Sequence, residues 1–95
     1  MWKQIKVMVS DLEELTEYVK RSSYRMRVIW AIGDNVIMPF QIAKKSGISN
    51  NHISSTLTQL REHDLVELIN PEMPRGRLYR LSDNGKKVLM ELTGE

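Results

Sequence analysis

The segment from Phe40 to Leu81 constrains the fold more than any other, because apolar periodicity and turn residues alternate along it in a defined order. A short amphipathic stretch ends at Gly47, and glycine readily adopts the left-handed conformation that ends helices. A longer stretch then carries Ile53, Leu57 and Leu60 at helical spacing, which is typical of one buried helix face. The pattern predicts two helices joined by a tight turn.

A β-hairpin is predicted directly after the second of these helices. Residues 65–69 and 77–81 alternate between apolar and polar, and the loop of residues 70–76 between them contains two prolines and one glycine. Ser82 then stands where a helix N-cap is expected. In that last helix we expect Val88, Leu89 and Leu92 to face inward.

Two helices and a bridging strand are predicted before this segment. Ser10 and Glu13 have capping-box spacing, which predicts a helix start at residue 10. Residues 24–33 predict a second helix with Trp30 in the core, and residues 36–38 are long enough only for a bridging strand. Residues 1–9 fit either a short strand or an ordered arm. The apolar face of the first helix comprises Leu12, Leu15, Tyr18 and Val19.

Composition narrows the class of protein. The chain has 95 residues, 41% hydrophobic and 27% charged, which suits one globular domain spanning residues 1–95. No apolar run approaches the roughly 20 residues that cross a bilayer, and residues 1–21 lack the apolar core of a secretory signal. The chain has no cysteine, and His52 and His63 lie eleven residues apart without a partner ligand. We therefore expect a cytoplasmic protein with no membrane association, no metal and no cofactor.

Charge is distributed unevenly along the chain. Residues 75–87 carry five basic residues and one acid, whereas residues 10–21 carry four acids and two basic residues. Such asymmetry predicts a basic working face and an acidic face turned elsewhere. The five basic residues are Arg75, Arg77, Arg80, Lys86 and Lys87.

The predicted order of elements is that of a winged helix-turn-helix domain with an extra N-terminal helix. The stretches IAKKSGISNNHISSTLTQLREHDLVEL and RGRLYRLSDNGKKVL resemble the turn, recognition helix and wing of bacterial and archaeal repressors of the MarR and ArsR type. The resemblance covers residues 22–92 and implies a mainly α fold with a small β-hairpin wing. It further implies a sequence-specific regulator of transcription that binds double-stranded DNA, and we expect a repressor. Helix 50–63 would enter the major groove, and the wing, residues 70–77, would contact the DNA backbone.

The resemblance also assigns individual residues. Two features depart from the pattern: Asp64 stands where such proteins often have Gly, and the groove-facing side of the helix has no Lys or Arg before Arg61. Without arginine there, strong guanine contacts are less available, so phosphate contacts would supply most of the affinity. The groove-facing positions are Ser49, Asn50, Asn51, Ser54, Ser55 and Thr58. The expected phosphate contacts are Lys44, Lys45, Arg75, Arg77 and Arg80.

Other interpretations of these residues and of the whole chain remain open. Asn50 and Asn51 also suit a helix start, where their side chains satisfy backbone N–H groups, and Arg75 and Arg77 also suit a solvated hairpin tip. No phosphate-binding loop or nucleophile motif is present, so we expect no enzymatic activity. The alternative function is a winged-helix module for protein–protein interaction in a transcription or trafficking complex. A third possibility is a sensor whose small-molecule effector is unknown.

A homodimer is expected because the terminal helices offer more apolar surface than one small core readily covers. A two-fold dimer would read half-sites about one helical turn of DNA, roughly 10 base pairs, apart. The residues expected at this interface are Leu12, Leu15, Tyr18, Val19, Val88, Leu89 and Leu92.

Overall fold

The computed structural model describes residues 12–94, and the predicted order of elements is confirmed there. The hairpin is antiparallel, with Glu67 opposite Arg80, and the predicted bridging strand is a single bridge between Ile37 and Tyr79. No helix among the described residues is long and apolar enough to cross a membrane. The elements are α1 (12–20), α2 (Ser23–Ile32), α3 (Pro39–Ser46), α4 (Asn50–Glu62), β1 (Val66–Leu68), β2 (Tyr79–Leu81) and α5 (Asp83–Leu92). The predictions for residues 1–9 and for the capping box at Ser10 lie outside the described residues.

Local chemistry explains where the helices begin and end. The Ser22 hydroxyl accepts the backbone N–H of Arg25 at 3.2 Å and so caps α2. Pro39 occupies the first turn of α3, where a missing N–H costs nothing. Gly47 follows α3 with φ of 73°, and Asp64 follows α4 with φ of 59°. Asp64 therefore adopts the left-handed conformation expected at that position, which Asp enters more readily than most residues.

A single apolar core lies between the five helices and the hairpin of the described residues. α2 and α4 each contribute four buried residues at helical spacing, so both helices are held by the burial of one side rather than by their intrinsic propensity. Burying one such aliphatic side chain contributes about 1.5–3 kcal/mol. The largest fully buried side chains are Ile29, Ile32, Ile42, Ile53, Leu60, Leu65 and Leu81.

Residues 81–85 have the pattern Leu-Ser-x-x-Gly, and this motif holds the start of α5 against the turn after α4. The Ser82 hydroxyl donates to the Asp64 carbonyl at 2.7 Å and accepts the Gly85 N–H at 3.0 Å. The Ser82 N–H donates to the Leu65 carbonyl at 3.0 Å, and Asn84 Nδ2 donates to the Asp64 carboxylate at 3.0 Å. Gly85 packs so closely on the Leu65 backbone that a Cβ atom would have no room. The motif is therefore explained by packing and capping.

Three predictions for apolar residues are corrected by the observed burial. Trp30 is 58% exposed and is not a core residue, because it lies on the side of α2 that faces away from Val28 and Ile29. Val19 and Val88, both predicted at a dimer interface, are 0% exposed and belong to the core of one chain. They leave no surface for a partner. The other five predicted interface residues are partly buried and pack against this core: Leu12, Leu15, Tyr18, Leu89 and Leu92.

Candidate nucleic-acid interface

One face of α4 is polar and exposed along its length, and the opposite face is buried. The buried residues are Ile53, Thr56, Leu57 and Leu60, which pack α4 into the core. Thr56 is accommodated there because its hydroxyl donates to the His52 carbonyl at 2.7 Å. The predicted groove-facing residues all lie on the exposed side: Ser49, Asn50, Asn51, Ser54, Ser55 and Thr58.

The side chains on this face differ in what they can offer a ligand. Within residues 12–94, the amides of Asn50 and Asn51 make no hydrogen bond, so both donors and the acceptor of each remain unused. The hydroxyls of Ser55 and Thr58 donate to their own helix, at 3.2 Å and 3.1 Å, and present acceptor lone pairs outward. In this geometry the two asparagines do not cap α4, and Ser49 occupies the N-cap position without a side-chain capping bond.

Two residues beside the start of α4 were missed by the sequence analysis. His52 is exposed, and its Nδ1 lies 3.4 Å from the Ser49 hydroxyl. The ring of Tyr24 on α2 packs against the His52 ring with a centroid separation of 5.0 Å. Tyr24 is 37% exposed, and it lies 28 residues before His52 in the sequence, so no spacing rule connects the two. The pair adds an aromatic surface next to Asn51.

Arg27 on α2 stabilises the turn between α3 and α4, and the sequence analysis did not predict this role. Its guanidinium donates to the Ser46 carbonyl from Nε at 3.1 Å and from Nη2 at 2.8 Å, and Nη2 reaches the Gly47 carbonyl at 3.3 Å. A cation at the carboxyl end of α3 also suits the helix dipole. Lys44 and Lys45 lie in the last turn of α3 and are exposed.

The wing is an ordered loop with exposed arginines. The Asn70 side chain spans it, donating to the Gly76 carbonyl at 3.1 Å and accepting the Leu78 N–H at 2.8 Å. Arg77 Nε donates to the Met73 carbonyl at 3.2 Å. Arg75 makes no hydrogen bond with any of residues 12–94, so its guanidinium is available to a partner.

Arg80 differs from the wing arginines because it has an internal partner. Its Nε lies 2.8 Å from the Glu67 carboxylate across the hairpin, and both side chains are about half exposed. An exposed pair of this kind contributes little to stability, typically under about 1 kcal/mol. Arg80 must leave Glu67, at least in part, to contact a phosphate.

The described residues contain no group of side chains suited to binding a metal ion. Among residues 12–94, no three His, Asp or Glu side chains are grouped as metal ligands. The surface instead offers amide, hydroxyl and guanidinium groups, which suit hydrogen bonding to a polar or anionic partner.

Two solved structures that resemble the chain each cover 97% of it. A MarR family transcriptional regulator from Silicibacter pomeroyi DSS matches with a TM-score of 0.68 and 19% identity, and a second MarR family transcription regulator matches with 0.61 and 19%. The fold is that of a MarR-type winged helix. The chain spans 63% of the first of these proteins and 67% of the second. No protein-family model matches the sequence, and no curated protein does at a significant level.

Proposed function

We propose that this protein is a sequence-specific regulator of transcription that binds double-stranded DNA and acts as a repressor by occluding a promoter. The observation that carries the proposal is the exposed face of α4, where two asparagine amides make no hydrogen bond with the described residues, 12–94, and lie beside a row of hydroxyls. An α-helix fits the major groove of B-form DNA, and side chains of this kind hydrogen-bond to base edges there.

The composition of this face favours adenine over guanine as the base it reads. In a bidentate pair with adenine, an asparagine amide donates its N–H to N7 and accepts the N6 amino group on its carbonyl oxygen. Asn50 and Asn51 use neither group in a hydrogen bond within residues 12–94. Guanine is usually read by Arg or Lys, and the exposed face of α4 has neither before Arg61. A·T base pairs are therefore expected within each half-site.

Phosphate contacts would supply most of the affinity. Lys44 and Lys45 at the end of α3, and Arg75 and Arg77 in the wing, are exposed cations on the elements that flank α4. Each phosphate contact releases a counterion, so affinity falls as salt rises. Arg80 contributes only when it separates from Glu67.

A salt series on a duplex tests this proposal directly. Four phosphate contacts predict that log affinity falls linearly with log salt, with a slope of roughly −3 to −4. A flat response would favour the alternative, a protein–protein interaction module. Titration with one separated strand of that duplex distinguishes duplex recognition from the general attraction of a cationic protein for nucleic acid.

The contribution of the wing is tested with a charge-matched pair of double variants. Arg75→Ala with Arg77→Ala should weaken binding to every duplex and lower the salt slope by up to about two. Lys86→Ala with Lys87→Ala removes the same charge from exposed positions on α5. If the two double variants lower the slope equally, the wing has no specific role and only net charge matters.

We further propose that the protein acts as a homodimer in the cytoplasm, without enzymatic activity. Leu12, Leu15, Tyr18, Leu89 and Leu92 on the terminal helices are partly buried and keep some apolar surface for a second copy. Selection of bound sequences from a random duplex pool, together with sedimentation at several concentrations, tests this arrangement. A two-fold symmetric consensus with half-sites about 10 base pairs apart is expected. A single asymmetric site bound by a monomer would contradict it.

A further inference from the structure

The carboxyl end of α4 is attached to α1 through Arg25, a half-buried residue of α2. Arg25 Nη1 donates to the Tyr18 carbonyl on α1 at 2.8 Å, and Nε donates to Gln59 Oε1 on α4 at 3.2 Å. The guanidinium carbon also lies 3.7 Å from the centre of the Tyr18 ring, within cation–π distance. One side chain thus connects three helices.

The Tyr18 ring makes a second connection to α4. It stacks on the His63 ring with a centroid separation of 3.8 Å and an interplanar angle of 17°. Arg25 and His63 are both too close to the ring to share one face, so they lie on opposite faces of Tyr18. His63 is also tied to α4, because its Nδ1 lies 3.0 Å from the Gln59 carbonyl. We call this arrangement of Arg25, Tyr18 and His63 the ring stack.

We propose that Arg25 is a positioning residue that, through the ring stack, sets the angle of α4 relative to α1 and thereby the presentation of the groove-facing side chains. The inference rests on the proposed function, because it assigns the ring stack a part in reading DNA. None of its three residues needs to touch a base. The stack acts on Asn51 and Ser55 only through the rigid body of α4.

A small change in the angle of α4 moves its amino end by a large distance, because the helix is long. A helix of 13 residues is about 20 Å long, and tilting it by about 5° at its carboxyl end moves the amino end by about 1.7 Å. Hydrogen bonds to base edges tolerate only a few tenths of an ångström around their usual length. A small loss of restraint at Gln59 and His63 is therefore enough to weaken contacts made by Asn51.

Charge alone does not explain the arrangement. A lysine at position 25 would keep the positive charge, but it could not donate to two elements in the planar fork of a guanidinium while stacking on a ring. Arg25→Lys therefore separates geometry from charge. Arg21→Lys, an exposed position on the adjoining turn, is the matched control.

The first measurement is independent of DNA. Because the chain has no cysteine, spin labels can be attached at Glu17→Cys on α1 and Asn50→Cys on α4, both exposed, and their separation measured by pulsed electron paramagnetic resonance. Arg25→Lys should broaden or shift the distance distribution, and Arg21→Lys should leave it as it is. An unchanged distribution in Arg25→Lys and in Tyr18→Leu would overturn the proposal. Far-UV circular dichroism establishes that each variant is folded.

The second measurement uses unlabelled protein and a duplex selected from a random pool. Arg25→Lys should lower affinity for the selected duplex by about tenfold or more, the value of one good base contact, and leave random-duplex affinity and the salt slope unchanged. Equal loss on both duplexes, or no loss, would refute the positioning role. If the wild-type protein binds no duplex, the proposed function fails by itself, and the label distances still decide whether Arg25 sets the angle of α4.

Discussion

Replacing Gly85 with alanine should destabilise the protein, although alanine is the better helix former. A Cβ atom at this position would clash with the Leu65 carbonyl oxygen and would lie 3.2 Å from Leu81 Cβ. Non-bonded carbon atoms prefer separations of about 3.5–4.0 Å, so the backbone of α5 must move away from Leu65. That movement lengthens the hydrogen bond from the Ser82 N–H to the Leu65 carbonyl, now 3.0 Å.

The expected size of the effect follows from three contributions. Overpacking typically costs about 1–3 kcal/mol, and weakening a buried hydrogen bond costs about 1 kcal/mol more. The helix propensity of alanine returns about 1 kcal/mol. The net loss in free energy of unfolding for Gly85→Ala is therefore about 2 kcal/mol, which lowers Tm by about 8–16 °C in a domain of this size.

Urea denaturation and calorimetry measure this change, with Gly76→Ala as the control. Gly76 has φ of 65°, and a Cβ atom added there would meet no other atom within 4 Å, so its substitution carries a conformational cost without crowding. That cost is about 1–2 kcal/mol. A Gly85→Ala protein that is as stable as the wild type, or more stable, would refute the explanation of the Leu-Ser-x-x-Gly motif by close packing.

Two further predictions concern the DNA-binding surface. Asn51→Ala should reduce discrimination between a selected and a random duplex by about tenfold while leaving stability unchanged, and Ser55→Ala should act in the same direction more weakly. Competition binding measures the affinity of each variant for the two duplexes. Equal losses of affinity on both duplexes would argue against base reading. Glu67→Gln should release Arg80, raise affinity for all duplexes by about two- to threefold and steepen the salt slope by up to about one. An unaltered slope in Glu67→Gln would exclude Arg80 from the phosphate contacts.

The order of elements could be predicted because it depends on local signals. Ile53, Leu57 and Leu60 repeat at helical spacing. Pro39 is typical of a first helical turn, and Gly47 is typical of the left-handed residue that ends a helix. Each of these signals can be recognised from residues nearby in the sequence alone. The exposed face of α4 follows from the same periodicity, which is enough to place the groove-facing residues on it.

The remaining errors and omissions depend on contacts between distant residues. Residue type favours Trp30 as a core residue, whereas its angular position on α2 turns it outward. Val19 and Val88 are apolar residues on helix faces, which suits both a core and a dimer interface, and the sequence does not distinguish the two. Arg25 and Gln59 are 34 residues apart, and no spacing rule connects them.

Backbone amide mapping by NMR, with isotope-labelled protein and a selected duplex, tests the central claim most directly. Binding should perturb the amide signals of residues 44–45, 50–58 and 75–77 and leave those around Trp30 and α5 close to their free positions. Perturbations centred on Trp30 and Phe40, with α4 and the wing unchanged, would contradict the account and place the interaction on a different surface of the fold.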